Sequence, residues 1–473
     1  MRRFISATLI ACALGLAISG PALATTRITG VVRSISTHAV IKGAVVKTGK
    51  YSAKTNSRGA YSLKVSAGWK TLTITARHYL TTYQVKKAVR NRTVKTDWFL
   101  TRSYPNTAVP AHGATVLAWN DLGMHCDQDS YKYFDLLPPY NTLHAQVFSG
   151  GELRRGYTVS YAFAKKTDST LHTDFWTYAP SFGYNLAPNI GLTGNGLSGT
   201  MKPDPRGLGY VATGIPVTPF DDDGTWDPYG AATITVRNGG GTVIAKQDVV
   251  VPISTELSCG NCHGDNFAVD MLTKHDAAQG TTLLADANAN HPHACGECHA
   301  DNAVGAAGLP GVESLSVAMH KLHDGKLPNT TAGCYNCHPG PKTECLRGIM
   351  ERAGKGCVDC HGTMTSVWTS AANGRQPWLN EPKCATCHGS KHAENPATLY
   401  RNSVLKNSYE DMSGKIYCEA CHNSTHAEYV SRNAADGVVP RSVQGNNYWI
   451  YNCAVCHRGG EENISFRGQK IHR

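Results

Sequence analysis

The chain has 473 residues, 17 of them cysteine, and a formal charge of +11. A positive charge of this size would suit a nucleic-acid or membrane-surface partner, but no long run of lysine and arginine is present. After residue 24, no apolar stretch approaches the length that spans a bilayer. We therefore expect a mature chain with no nucleic-acid partner and no transmembrane segment.

The first 24 residues have the pattern of a secretory signal. A basic pair, Arg2 and Arg3, precedes an apolar run over residues 4–18, and Ala22-Leu23-Ala24 is a small-residue cleavage site. The alternative is a lipoprotein signal that ends at Cys12. We expect export to the periplasm, or to the cell surface and the extracellular space.

Residues 25–104 have the alternating pattern of β-strands. Apolar and polar residues alternate over Tyr61–Val65 and over Thr71–Ala76. Turn-forming residues at Asn56–Gly59 and Ala67–Gly68 separate the strand-forming runs. This pattern predicts an all-β first domain.

Three segments of this first domain carry a family resemblance: Ile28–Val32, Gly43–Val46 and Thr55–Tyr61. Their spaced glycines and β-runs resemble a carboxypeptidase-regulatory-like β-sandwich. The resemblance implies a structural or adhesive module and not a catalytic one.

Residues 105–258 predict a second β-rich region. Strand-forming runs within Thr233–Lys246 flank the turn Asn238–Gly241, which predicts a hairpin. The region also contains His125 and His144. Each is either a packed histidine of a buried loop or a metal ligand that reaches the following domain.

Seven copies of Cys-x-x-Cys-His occupy residues 259–457. This spacing is typical of covalent haem attachment, in which two thiols bind the porphyrin and the adjacent histidine binds the iron. A zinc site or a disulfide would explain the cysteine pairs but not a histidine after every second cysteine. The attaching cysteines are Cys259, Cys262, Cys295, Cys298, Cys334, Cys337, Cys357, Cys360, Cys384, Cys387, Cys418, Cys421, Cys453 and Cys456, and the proximal histidines are His263, His299, His338, His361, His388, His422 and His457. We expect a domain with seven covalently attached haem c groups, followed by a tail at residues 458–473.

This domain has too little chain per haem for an ordinary apolar core, so we expect the porphyrins to form its core. Short helices and loops would surround them, including a helix over Val312–Leu322. The predicted fold class is multidomain: N-terminal all-β sandwich-like regions followed by a haem-packed C-terminal domain with short helices and loops. Seven haems with ionised propionates would bring the net charge to about +2 when oxidised and about −5 when reduced, which removes the argument for a nucleic-acid partner.

Seven further histidines lie between the first and last motifs: His275, His291, His293, His320, His323, His392 and His426. Because they equal the haems in number, we expect most irons to bind two histidines. His392 and His426 each lie one helical turn after a proximal histidine, so either can bind only a neighbouring haem. His320 and His323 are one turn apart on the predicted helix and can serve two haems from one face. Methionine is the alternative sixth ligand.

Two cysteines, Cys126 and Cys345, lie outside both the motifs and the leader. In an oxidising compartment they can form one disulfide between the β-rich region and the haem domain. The alternative is that they do not pair.

The seven motifs, the Cys-His-x-x-x-His pairs and the leader resemble the extracellular and outer-membrane multihaem cytochromes of metal-respiring bacteria. The resemblance implies electron transfer toward other redox proteins or an extracellular acceptor, with no catalytic residue. Two alternatives stay open: a multihaem reductase with one open haem, and a subunit of a conductive filament, which requires self-association. In the nitrite reductases that multihaem cytochromes resemble, lysine replaces one proximal histidine, and this chain has no such replacement. The two β-regions also distinguish it from the compact cytochromes that form filaments.

Overall fold

The structure is a computed structural model. It describes residues 26–34, 39–79, 82–100, 113–340, 342–380, 382, 384–388, 393–394, 404–405 and 416–456. The predicted export signal, the C-terminal tail, His392 and His457 lie outside the described residues. The chain separates into two compact units, Met1–Ser103 and Tyr104–Arg473.

The first unit is built from β-strands. They are β1 (Arg27–Ser34), β2 (Val45–Thr48), β3 (Tyr51–Lys54), β4 (Ala60–Lys64), β5 (Gly68–Thr75), β6 (Thr82–Ala88), β7 (Thr93–Lys95) and β8 (Trp98–Leu100). In the described part of this unit, β3-β2-β5-β6 form one antiparallel sheet, and β4, β7 and β8 all pair with β1 in the other. Successive side chains of a strand point to opposite faces of its sheet. The inward side chains Val46, Leu72 and Ile74 of the first sheet therefore pack with Ile28 and Leu63 of the second in one core. The prediction of an all-β N-terminal part is confirmed.

Buried hydrogen bonds link strands β4 and β8, which both pair with β1 in the second sheet. The indole Nε1 of Trp98 donates to the hydroxyl of Tyr61 at 3.0 Å, and that hydroxyl donates to the carbonyl of Thr96 at 2.7 Å. Burial raises the pKa of Tyr61 to about 12. The hydroxyl is therefore neutral and serves as both donor and acceptor in the interior.

The second unit begins with two further sheets. Its β-strands are β9 (Ala114–Asn120), β10 (His125–Cys126), β11 (Phe134–Asp135), β12 (Asn141–Ser149), β13 (Glu152–Arg154), β14 (Thr158–Phe163), β15 (Ser198–Thr200), β16 (Lys202–Pro203), β17 (Tyr210–Ile215), β18 (Ala231–Arg237), β19 (Val243–Val250), β20 (Ile253–Ser254), β21 (His293–Ala294), β22 (Ala393–Glu394) and β23 (Val404–Leu405). One sheet has the order β13-β12-β17-β16 with β9 also beside β12, and the other has the order β15-β14-β18-β19. The predicted hairpin is confirmed, because β18 pairs with β19 and Asn238 N donates to Thr242 O at 3.0 Å.

Residues from the C-terminal end of the chain complete the core of these two sheets. Tyr429, Val443 and Ile450 are buried together with Trp119 and Ile234. The last motif-bearing segment is thus packed against the β-rich region.

Short helices dominate the remainder of the second unit. They are α1 (Phe175–Tyr178), α2 (Gly260–His263), α3 (Phe267–Gln279), α4 (Leu283–Asn288), α5 (Cys295–Cys298), α6 (Leu315–His323), α7 (Thr331–Cys334), α8 (Ile349–Arg352), α9 (Cys357–His361), α10 (Met364–Ala372), α11 (Cys384–His388), α12 (Cys418–His422) and α13 (Val438–Gln444), with 3₁₀ turns at Ser169–Leu171, Ala179–Phe182, Ala434–Gly437 and Cys453–Val455. Among the described residues, none of the helices has both the length and the apolar character needed to cross a membrane.

The predicted helix over Val312–Leu322 starts three residues later than expected. Helix α6 begins at Leu315 because Ser314 is its N-cap, with its hydroxyl accepting from Val317 N at 3.4 Å. The longer helix α3 was not predicted, because its apolar periodicity is weak and Leu272 is its one buried residue.

Candidate haem-binding site

In the described part of the chain, five motifs lie in one-turn α-helices, the third continues as a turn from the end of helix α7 at Cys334, and the seventh begins with a 3₁₀ turn at Cys453–Val455. The backbone N–H of the histidine donates to the carbonyl of the first cysteine, at 3.0 Å for His263 and Cys259 and at 3.0 Å for His338 and Cys334. Residues three and four apart on a helix share one face. Both thiols and the imidazole of a motif therefore project to the same side, as attachment to one planar group requires.

Four motif histidines lie opposite a second imidazole. In every one of these pairs the partner is one of the further histidines that the sequence singled out. The ring centroids are 6.3 Å apart for His263 and His323, 6.4 Å for His299 and His275, 6.2 Å for His338 and His320, and 6.3 Å for His361 and His426.

These four distances fit a metal ion held between two imidazoles. A metal–imidazole bond is about 2.0 Å long, so one metal ion bound by two opposed imidazoles would hold their ring centroids roughly 6 Å apart. The four pairs are separated by 6.2 to 6.4 Å. The residues present thus fit a haem iron with two axial histidines.

Hydrogen bonds at Nδ1 orient the rings on helix α6. His320 donates from Nδ1 to Ser316 O at 2.7 Å, and His323 donates from Nδ1 to Met319 O at 2.7 Å. A carbonyl can only accept, so each ring carries its proton on Nδ1 and keeps the Nε2 lone pair for a metal. Such contacts to the outer nitrogen are typical of metal-binding histidines.

The same arrangement recurs at the first two motifs. His263 Nδ1 lies 2.6 Å from the Asp270 carboxylate, and His299 Nδ1 donates to Glu313 O at 2.7 Å. His275 Nδ1 is 3.0 Å from Thr281 Oγ1. A helix pattern does not predict these supporting groups, because it does not reveal which carboxylate, hydroxyl or carbonyl a ring faces.

Two helices connect neighbouring motifs. Helix α6 carries His323, which faces the first motif, and His320, which faces the third. Helix α3 carries Asp270, which orients His263, and His275, which faces the second motif. Each of these two helices therefore carries residues that face or orient the histidines of two different motifs.

Cysteines of different motifs also lie side by side. The side chain of Cys334 lies close enough to that of Cys357 to affect its pKa, and the same holds for Cys384 and Cys418. Between the first and third motifs, Asn261 Nδ2 lies 3.5 Å from Asn336 Oδ1. Attachment points on these motifs are therefore adjacent in space although they are distant in sequence.

Burial sets the charge of two paired motif histidines. Removal from water lowers the pKa of both His338 and His361 to about 4. Both rings are neutral near pH 7, which is the form that binds a metal.

The segment that carries His426 is fixed by backbone hydrogen bonds to residues 347 and 348. The carbonyl of His426 accepts from Arg347 N at 2.8 Å and from Gly348 N at 3.0 Å, and its Nδ1 lies 3.8 Å from Cys345 Sγ. It faces His361 and not His422, the motif histidine four residues before it. The helical turn that the sequence predicts between His422 and His426 does not form, because helix α12 ends at His422 and Asn423 has a φ of 72°.

The other sequence-predicted histidines have different surroundings. His293 faces two carboxylates, Glu297 at 2.9 Å and Asp286 at 3.5 Å, and His291 is exposed. The ring of His422 lies 6.1 Å from that of Trp449. The predictions for His392 and for the pairing of His457 lie outside the described residues.

His125 of the β-rich region is buried, whereas His144, Cys126 and Cys345 of the following domain are half-buried. His125 is 3% exposed, with Nε2 2.6 Å from the Asp121 carboxylate, and His144 stacks on Trp119 with centroids 5.6 Å apart. Burial raises the pKa of the Cys126 thiol, and no disulfide joins Cys126 to Cys345 in this structure. Among the described side chains, no three of histidine, cysteine, aspartate and glutamate form a metal-binding cluster.

Comparison with known proteins does not assign the chain to a family. No protein-family profile and no curated protein matches it. A cohesin–X–dockerin complex of Acetivibrio cellulolyticus is similar over 16% of this chain and 58% of its own, at 26% identity and a TM-score of 0.15. The major pilin subunit BcpA of Bacillus cereus aligns over 48% of this chain and 68% of its own, at 11% identity and a TM-score of 0.15. A DUF3823 family protein of Bacteroides ovatus aligns over 49% of this chain and 99% of its own, at 10% identity and a TM-score of 0.14.

These TM-scores are too low to support an argument from shared architecture. The chain also spans less than two thirds of the cohesin–X–dockerin structure that it matches. The interpretation of the site therefore depends on its own geometry.

Proposed function

We propose that this protein is a multihaem c-type cytochrome that transfers electrons and carries seven covalently attached haems, most of them held between two histidines. The observation that carries the proposal is the set of four imidazole pairs with centroids 6.2 to 6.4 Å apart. Each pair joins a histidine of a Cys-x-x-Cys-His turn to a histidine outside the motifs. Haem supplies a reversible one-electron couple when it is bound.

The residues of the chain have three tasks in this proposal. The paired thiols of each motif fix the porphyrin, and the motif histidine supplies one axial nitrogen. The opposing histidines His323, His275, His320 and His426 supply the other. If these eight histidines held four haems, they would leave no iron position open to a substrate at these sites, which favours electron transfer over catalysis.

The spatial order of the motifs supports conduction. Helix α3 links the second motif to the first, and helix α6 links the first to the third. The contact of Cys334 with Cys357 then leads to the fourth motif. The attached groups would be close neighbours along this series, and close approach is what electron tunnelling requires.

The leader and the attachment chemistry together extend the proposal to location and partners. Covalent haem attachment takes place outside the cytoplasmic membrane, and residues 1–24 have the pattern of an export signal. We place the protein in the periplasm or at the cell surface, where another redox protein or an extracellular acceptor receives its electrons.

The test is a haem count joined to a spin-state measurement. Purified mature protein should show seven haems per chain by pyridine haemochrome assay and a matching increase in intact mass. Electron paramagnetic resonance of the oxidised protein should show predominantly low-spin iron. A mass equal to the bare polypeptide would refute haem attachment, and predominantly high-spin iron with turnover of a nitrogen or sulfur oxyanion would favour a reductase.

A further inference from the structure

The positive charge of this protein is concentrated in its first unit. Residues 25–103 contain 16 lysines and arginines and a single acidic residue, Asp97, which gives a net charge of +15. Residues 104–473 have a net charge of −6. Most of the positive charge therefore belongs to a different unit of the chain from the one that carries the motifs.

One face of the first unit combines this charge with an exposed aromatic ring. In the sheet β3-β2-β5-β6, the inward positions are filled by Val46, Leu72 and Ile74, so the alternate positions point outward. Lys47 and Lys54 point outward, opposite Thr73 and Val45 of the neighbouring strands. Trp69 and Lys87 also point outward and lie opposite each other. All three lysines are exposed.

Trp69 is the distinctive side chain of this face. It is 69% exposed, and the ammonium of Lys87 lies 6.0 Å from its ring centroid. Threonines 71, 73 and 75 follow on the same face of strand β5. A flat surface thus presents an indole ring, ammonium groups and hydroxyls together.

We propose that this outward face binds an acidic polysaccharide. An exposed indole offers a flat apolar surface on which a sugar ring can stack, while its neighbours make polar contacts. Lysine ammonium groups pair with the carboxylates of the polymer, and the threonines form hydrogen bonds with its hydroxyls. The excess charge of the unit attracts a polyanion over a longer range.

The same face is a poorer match for single-stranded nucleic acid. Proteins that bind such strands stack successive bases on several aromatic rings. Trp69 is the one exposed tryptophan among the described residues of the first unit, and Trp98 is fully buried. One ring with flanking hydroxyls and ammonium groups suits a sugar polymer better.

The opposite sheet provides a matched control surface. Lys64 and Lys95 lie on its outward face, aligned with Arg27 and Thr29 of strand β1. Lys95 is 3.2 Å from Asp97, and no described tryptophan is exposed there. Replacing these two lysines changes the net charge as much as replacing Lys47 and Lys54 does.

The experiment measures binding of the full-length haem-loaded protein to alginate, with neutral dextran and oligo(dT) as the other probes. We expect alginate to bind, dextran not to bind, and Trp69→Ala to weaken alginate binding about tenfold. The double variant Lys47→Gln/Lys54→Gln should weaken it to a similar degree, while Lys64→Gln/Lys95→Gln should retain wild-type affinity. All substituted side chains are exposed, and circular dichroism confirms that each variant is folded.

Three results would overturn the proposal. Equal losses in the two double variants would show that only overall charge matters. Tighter binding of oligo(dT) than of alginate, with loss in Trp69→Ala, would make the face a nucleic-acid site. Failure of alginate to bind at low salt would remove the site altogether, and none of these results depends on the haem count.

Discussion

Arg347 and Asp436 form a two-pronged ion pair in the interior of the second unit. Arg347 donates from Nε and Nη2 to the two carboxylate oxygens at 2.8 and 2.7 Å, and both side chains are 1% exposed. The backbone N–H of Arg347 also donates to the carbonyl of His426. The ion pair therefore anchors the segment that presents His426 to His361.

Replacing Arg347 tests this anchor. Arg347→Ala leaves the carboxylate of Asp436 buried without its partner, so the free energy of unfolding should fall by about 3–5 kcal/mol. Urea denaturation followed by circular dichroism measures the change. The exposed pair of Arg154 and Glu152 is the control, since Arg154→Ala should cost about 0–1 kcal/mol. Equal losses in the two variants would show that the buried pair does not anchor the fold.

Asp127 predicts a pH dependence of stability. Burial raises the pKa of its carboxyl group from 3.8 to about 8, so the folded protein keeps this proton where the unfolded chain has released it. The stabilising contribution of the neutral form is complete below the unfolded pKa and is lost as the pH rises toward the folded pKa. We therefore expect the free energy of unfolding to decline between about pH 4 and pH 8 by up to about 1.4 kcal/mol per pH unit from this group.

Asp127→Asn isolates that contribution. Asparagine keeps the Oδ1 atom that accepts from Tyr131 and from Gln128 N, but it does not ionise. The variant should unfold at a urea concentration that changes less between pH 5 and pH 8 than the wild-type value. Asp129→Asn, at an exposed neighbouring position, should retain most of the wild-type pH dependence, because the charge of Asp129 contributes much less than burial to the raised pKa of Asp127. Identical pH profiles for wild type and Asp127→Asn would contradict the prediction.

The two histidines of helix α6 should act on different haems. His320 faces His338, and His323 faces His263, so each single alanine variant removes the opposing ligand of one site only. We expect each variant to convert one haem in seven from low spin to high spin, and the double variant to convert two. Electron paramagnetic resonance provides the measurement, and His78→Ala in the first unit is the control. A single variant that leaves all iron low-spin would remove that histidine from the ligand set.

Tyr61 should stabilise the first unit through its hydroxyl. In Tyr61→Phe the indole N–H of Trp98 loses its acceptor in a buried position, which should cost about 1–3 kcal/mol. Faster hydrogen exchange of the amides in strands β4 and β8 would report the local loss of stability. Tyr51→Phe, at a half-buried ring, should leave exchange in those strands unchanged.

Some parts of the fold and site could be read from short stretches of sequence. The alternation over Tyr61–Val65 and Thr71–Ala76 predicts strands β4 and β5, because burial of every second side chain is a property of the strand itself. The helix around His320 was also predicted, although its start was misplaced by three residues because the cap at Ser314 was not recognised. Helix α3 was missed, since packing and not a strong apolar stripe keeps it in place.

The sequence by itself led to the proposed attachment of haem, because two cysteines and a histidine within one turn share a face wherever that turn lies. It also indicated which histidines were available as second ligands. Only the tertiary structure decided the pairing: His275 meets His299 and His426 meets His361 after the chain has folded back across 24 and 65 residues. Such meetings depend on the packing of distant segments, including the anchor at Arg347, and no local pattern encodes them.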